Sequence, residues 1–359
     1  MNHIIDQHSV RNLAVGAAVL SAGGGSFPYL EHLNAVDVLA HSQPVNLIEP
    51  STISDTARIA LVAMVGAPLV ALERILDAEH FVRPVRALEQ HLGARFDAIM
   101  GYEIGSLNAM VPVMVAAKTG LPLIDADTFG RSFPQSQMTS FSIAGVPMTP
   151  LVVSDIRENN VIITESVNGD WTECMLRAVT TSLGSIAAIC GTCSGATLMR
   201  HGIAHTYSRA IRLGTTLLAA RATQQDVVTS LLSAEAGVVI ARGKVMDVDR
   251  RVSCGFVRGQ ARIVSEGERL PVVVHFQNEY SVVTVGGSPV STVPDLICVL
   301  DTVHGEPIGT ESLRYSQQVA VVSLPAMAVH CTPAALDVVG PRGFGYDFDY
   351  VTPHTRTAS

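Results

Sequence analysis

Between residues 222 and 243 the sequence changes texture, and this change limits the folds open to it. Before it, strand-length apolar runs alternate with helix-length segments: Arg58 to Val65, Arg83 to Leu92, Phe96 to Gly101, and Leu107 to Lys118. Such alternation predicts an α/β layer with parallel strand pairing. After it, from Val238 to Val322, short β-rich runs are divided by Gly243, Gly255, Gly259, Gly267, Gly286-Gly287 and Gly305, the pattern of a mainly antiparallel sheet. The predicted architecture is an α/β N-terminal domain with parallel-type strand–helix alternation, residues 1–235, followed by a β-rich C-terminal domain, residues 236–359. A chain of 359 residues that is 48% hydrophobic and 16% charged, with mean hydropathy +0.33, can bury a large core, which argues against disorder. No repeat or low-complexity tract interrupts it.

Charge and cysteines narrow the function classes. A formal net charge of −8 without a Lys/Arg cluster makes nucleic acid and anionic membranes poor partners. No apolar run approaches the roughly 20 residues of a bilayer span. The start, Met-Asn-His-Ile-Ile-Asp-Gln-His, does not read as a secretory leader, so the expected compartment is the cytoplasm, with six reduced cysteines. Cys190 and Cys193 form one C-G-T-C with no second pair to complete a zinc ribbon. Neither the phosphate-loop nor the dinucleotide fingerprint is present, so no nucleotide cofactor is expected.

Leu121 to Pro134, L-P-L-I-D-A-D-T-F-G-R-S-F-P, concentrates reactive side chains at a strand end, where α/β ligand sites cluster. If the strand persists through Asp127, Asp125 and Asp127 share one face, with Arg131 close behind Gly130. The alternative is a turn in which the Asp side chains bind backbone amides and Arg131 is a structural partner. Gly23-Gly24-Gly25-Ser26 closes the helical segment Val10 to Ala22, either as an anion-binding nest or as a tightly packed helix end. Gly66, Glu103 and Asp125 fall at one sheet edge if their strands are neighbours. Gln277, Asn278 and Glu279 end an apolar strand. The amides suit a polar heterocycle, and Glu279 suits a general base or a metal ligand. His201 and His205 stand four apart on an expected helix, and Cys193-Ser194 sits in an expected small-residue loop.

These pieces together resemble the family catalogued as DUF917, the S-methyl thiohydantoin desulfurase-like proteins. The matching segments are Gly16 to Tyr29, V-G-A-P at Val65 to Pro68, Gly105 to Pro112, D-A-D-T-F-G-R-S-F-P at Asp125 to Pro134, and G-K-V-x-D-V at Gly243 to Val248. F-Q-N-E at Phe276 to Glu279, V-P-D-L-I at Val293 to Ile297, L-R-Y at Leu313 to Tyr315, and G-P-R-G-F-G-Y-D at Gly340 to Asp347 complete the set. The resemblance implies two domains and chemistry on a hydantoin-like ring: S-methyl thiohydantoin hydrolysed to hydantoin and methanethiol. For such chemistry the residues themselves, rather than the resemblance, single out Asp125, Asp127, Arg131 and Glu279 as the expected catalytic residues. Gly24, Gly25, Asn108, Gln277 and Asn278 are expected to bind the ring, and Asp125, Asp127 and Glu279 to hold a divalent metal, zinc first. A homo-oligomer is expected, with a hydantoinase-type partner as a further association. The alternative function is a non-catalytic subunit of a hydantoinase or oxoprolinase-type enzyme.

Overall fold

The computed structural model describes residues 3–67, 70, 73, 77–253, 256–265 and 270–354; Pro68, Gly255 and Gly267, named above, lie outside them. The first half forms strands β1 (His3–Ile5), β2 (Val45–Ile48), β3 (Arg58–Gly66), β4 (Ala98–Gly101), β5 (Leu123–Ile124), β6 (Ala126–Asp127), β7 (Leu151–Ser154), β8 (Asn160–Ile163), β9 (Ile186–Ser194) and β10 (Ile203–Ala204). Eight of them build one mixed sheet in the order β1-β2-β5-β4-β3-β9-β7-β8. The expected parallel pairing holds for four adjacent strands, β2-β5-β4-β3. It does not hold at the flanks, where β1, β9, β7 and β8 all pair antiparallel. The turn at Glu158-Asn159 makes β7 and β8 a hairpin, which is antiparallel by construction.

β3 explains why the sheet reads as an unbroken apolar run. Its Ala60, Val62 and Met64 enter one core, and its Ile59, Leu61 and Ala63 enter another on the opposite face. A strand buried on both faces has no polar side to show. The helix Ser9–Leu20 is apolar all round beyond its first turn for the same reason, with Val10 and every residue from Leu13 to Leu20 buried. It packs on the helix Thr206–Ala222. At this crossing a Cβ on Gly16 would strike the Ala210 carbonyl, and one on Gly214 would strike the Asn12 carbonyl. Alanine in an exposed helix stabilises relative to glycine by roughly 1 kcal/mol. Here the sign should reverse: Gly16→Ala is expected to destabilise by about 1–3 kcal/mol, because the helices must separate. Urea unfolding with an unchanged m-value would check this, and a rise in midpoint would refute the close crossing.

The second sheet has strands β11 (Val238–Ser253), β12 (Phe256–Ser265), β13 (Val272–Gln277), β14 (Glu279–Val285), β15 (Ser288–Thr292), β16 (Leu296–Asp301) and β17 (Gln318–Leu324). Their order is β15-β14-β13-β12-β11-β17-β16, antiparallel throughout. The two sheets meet at the glycine loop. Tyr280 N donates to the Ala22 carbonyl at 2.9 Å, and Thr310 N donates to the Gly23 carbonyl at 2.9 Å. Gly23 has φ +91°, and any Cβ there would run into the Tyr280 ring. The loop is therefore a helix end with tight packing, as one of the two sequence readings had it.

Candidate functional site

A cavity of about 460 Å³ lies beneath this junction, lined by the glycine loop, the ends of β3 and β4, and the β13–β14 tip. Of the expected site residues, Gly24, Gly25, Asn108, Asn278 and Glu279 line it. Asp125, Asp127, Arg131 and Gln277 are not in its lining. Glu103, at the end of β4, is, as the sheet-edge argument placed it. Its carboxylate accepts from Ser132 Oγ and, at 3.4 Å, from Asn108 Nδ2. Asn108 is itself fixed, accepting from Met64 N at 2.8 Å. Asn278 turns the β13–β14 hairpin at φ +57°, and its Oδ1 accepts from Val257 N. Glu279 follows, buried, with Oε2 lacking any hydrogen-bond partner among the described residues. A side chain on Gly24 would occupy the space of the Glu279 carboxyl, so the loop approaches that acid through bare backbone.

Burial dominates the electrostatics. It raises the Glu103 carboxyl to about 7, against the hydrogen bonds from Ser132 and Asn108 and the charge of Arg131. Burial also pushes Glu279 well above the carboxylate range, with Glu103 adding repulsion and Arg131 opposing. Arg131 is wholly buried. Its Nε donates to the Ser132 carbonyl at 2.9 Å, and its Nη1 to the carbonyls of Pro294 and Asp295 at 3.0 and 2.7 Å. The guanidinium lies 4.6 Å from the Phe133 ring centre. Nη2 has no partner among the described residues; burial pulls the guanidinium down to about 10, and Glu279 is the largest charge opposing that loss. Two acids, both raised above the usual carboxylate range, and a cation behind them form the polar end of the cavity. Met64, Leu176 and Ile189 contribute apolar wall.

Two family models cover this chain: the S-Me-THD-like N-terminal domain matches residues 8–165, and the S-Me-THD-like C-terminal domain matches residues 167–353. The chain belongs to the S-Me-THD-like family. No curated protein matches it. A solved structure of a protein from Chromobacterium violaceum is 22% identical, covering 98% of this chain and 100% of that one, with a TM-score of 0.81. That likeness shows a shared fold. The S-Me-THD-like models meet at residue 166, whereas β9 still belongs to the first sheet and the change of sheet type falls between Glu235 and Val238. No helix among the described residues is long and apolar enough to cross a membrane.

In this S-Me-THD-like chain the D-A-D segment is split. The strand does not persist: β5 stops at Ile124, and Ala126–Asp127 pair with β10 in a separate two-stranded sheet. Asp127 accepts from the amides of Ile104 and Gly130, both at 2.8 Å, which is the amide-binding turn weighed from sequence. Asp125 accepts from Ser208 N at 3.0 Å and Ser208 Oγ at 2.5 Å. His205 comes to Asp125, its Nδ1 lying 3.6 Å from Oδ2 and 3.3 Å from Glu49 Oε2. His201 and His205 do not share a helix: Gly195–His201 is a short one, and β10 intervenes. Asp125, Asp127 and Glu279 therefore do not converge on one ion. Glu49, Asp125 and His205 do bring one donor atom each within 4.8 Å of one another, a set chemically able to hold a divalent cation. Cys190 and Cys193 are free, and both lie buried on β9, which runs through the expected loop to Ser194. Ser194 caps the next helix, accepting from Thr197 N at 3.1 Å.

Raised carboxyls make stability depend on pH. A carboxyl whose folded pKa exceeds its unfolded value binds more protons when folded, so its contribution is fully present below the unfolded pKa near 4.5 and is lost as pH rises through about 7. For Glu103 alone the loss between pH 5 and 8 is roughly 2–3 kcal/mol. Urea midpoints across that range should fall for wild type and fall less steeply for Glu103→Gln, in which burial still holds Glu279 and Asp127 above the ordinary carboxylate range. A wild-type midpoint rising over the same window would contradict a neutral buried acid.

Proposed function

We propose that this S-Me-THD-like protein is a hydrolase of a hydantoin-like five-membered ring, converting an S-methyl thiohydantoin to a hydantoin and methanethiol. The observation that carries the reading is the pair Glu103 and Glu279, one half-buried and one buried acid lining one cavity, both raised above the usual carboxylate range, with Asn108 donating to Glu103 beside them. Paired acids in different surroundings can serve as one proton donor and one acceptor, and the deeper burial of Glu279 favours it as the donor. Water adds to the ring carbon that bears sulfur, and Glu103 in its ionised form takes the water proton. Protonated Glu279 donates to the ring nitrogen, which later carries that hydrogen as the hydantoin N–H. Collapse of the tetrahedral carbon breaks the carbon–sulfur bond, and the proton on Glu103 passes to the departing thiolate. Water has then supplied the new carbonyl oxygen and the two hydrogens found on nitrogen and sulfur, once Glu279 is reprotonated from the remaining hydroxyl. Arg131, behind Glu279, stabilises the negative charge that builds during addition. Asp127 is a positioning residue that fixes the Ile104 and Gly130 backbone on either side of these groups.

A divalent cation, zinc by its mixed carboxylate and imidazole donors, belongs in this reading at Glu49, Asp125 and His205, where it would brace the end of β2 against the following turn. The test measures thiol release from S-methyl thiohydantoin together with metal content, in wild type and Asp125→Asn. Turnover supports the hydrolase. Its absence at millimolar substrate with folded protein overturns it. Metal present in wild type and lost in Asp125→Asn supports the cation site, and metal-free wild type after growth in zinc removes it.

A further inference from the structure

Resting on the reading of this cavity as a ring site, we infer that it selects the ring's substituent by charge, accepting a basic side chain and rejecting an acidic one. Five carboxyl side chains line it, those of Glu31, Glu103, Glu173, Glu279 and Glu311, against one cation among the described residues, Arg177. Arg177 is already committed. It pairs with Glu173, its Nη2 donates to the Pro134 carbonyl at 3.2 Å, and its guanidinium stacks 4.3 Å from the centre of the Phe256 ring. Arg131 stands behind Glu279 and outside the lining.

Two carboxyls then remain over. Glu311 accepts only hydroxyl hydrogens, from Ser26 Oγ at 3.0 Å and Ser312 Oγ at 3.3 Å, and no cation pairs with it among the described residues. Glu31, in the first turn of the helix Tyr29–Ala40, has no ion pair among the described residues, and burial works against its charge, offset in part only by its own backbone N–H. A carboxylate losing water without a partner gains from any cation brought to it and repels an anion. The acids at the polar end handle protons of the ring. Glu31 and Glu311 line the same cavity and do not touch that machinery, so they are free to read a substituent. The structure thus fits rings derived from amino acids with an ammonium-bearing side chain, with neutral ones second.

The test compares three S-methyl thiohydantoins, bearing 4-aminobutyl, isobutyl and 2-carboxyethyl groups on the ring carbon. The expected order of kcat/KM is amino, then isobutyl, then carboxy, with the amino and carboxy substrates at least about tenfold apart, the factor for one charge contact at a partly screened distance. Glu31→Gln and Glu311→Gln should each bring the amino-to-carboxy ratio toward one. Equal or reversed rates overturn the inference while leaving the hydrolase reading intact. If no substrate releases methanethiol, that reading fails by itself, and calorimetry with the corresponding hydantoins decides the inference separately. Tighter binding of the aminobutyl ring, weakened by salt, supports it; equal binding, or none, overturns it.

Discussion

Glu279→Gln is expected to release methanethiol at least about a hundredfold more slowly than wild type, the usual cost of removing a positioned proton donor. Glutamine keeps the volume and cannot supply an acidic proton. The loss should therefore fall on kcat more than on KM, since ring contacts from Asn108 and the glycine loop remain. Glu103→Gln should cost a comparable factor for a different reason, the loss of the group that receives the water proton. The pH profile separates the two. With Glu103 raised to about 7, the wild-type rate should climb as pH rises through that value, because the reactive form is the carboxylate. Glu103→Gln should lose that limb, whereas Glu279→Gln should keep it at lower amplitude. Stopped-time thiol assays from pH 5 to 9 give all three curves. Both variants exchange an acid that burial raises above the usual carboxylate range for a neutral amide of the same volume, so they should fold, and far-ultraviolet circular dichroism checks this. Retention of more than a tenth of wild-type kcat in both would remove the acid pair from the mechanism.

Why Glu103 was the harder of the two acids to find in the sequence is a question of topology. Glu279 announces itself by following an apolar run, in a cluster with Gln277 and Asn278. Glu103 stands alone after Ala98–Gly101, and only the neighbouring of β3, β4 and β5 brings it to the glycine loop. The alternation of strands and helices made that sheet edge legible, together with the later β-rich half and the helix end at Gly23. Asp125 and Asp127 misled because the period-two rule assumes one continuous strand. At Asp125 the backbone changes partner: its N–H donates to Ile48 and its carbonyl accepts from His205. That exchange is set by β10, 78 residues further on, and no local pattern encodes it. His205 was likewise read by its spacing from His201, although its contacts come from Glu49 and Asp125, which are distant in sequence.

Arg131→Met is expected to destabilise the fold by about 3–5 kcal/mol, the range for breaking a buried charge network on one side. The arginine is reached by Ser132 on its own segment and by Pro294 and Asp295 on the approach to β16, so it ties the first half of the chain to the second. Methionine fills similar volume but leaves three buried carbonyls without a donor, each a cost of roughly 1–3 kcal/mol. Relief from burying the guanidinium offsets part of that, which is why the net lies below the sum. Arg131→Lys is the discriminating control: it keeps the positive charge and gives up the planar fork that reaches two carbonyls at once. If geometry holds the halves together, Arg131→Lys should recover less than half of the loss. If charge beside Glu279 matters more, it should recover most of it. The two cases also differ in titration. Without any cation at 131, the opposing influence on Glu103 and Glu279 disappears, so both acids should titrate higher than in wild type, and the decline of stability with pH, which still begins at the unfolded pKa near 4.5, should run on to higher pH. Urea unfolding of the three proteins at pH 5, 7 and 9 measures both effects, and a loss under 1 kcal/mol for Arg131→Met at every pH would deny the arginine its place between the sheets.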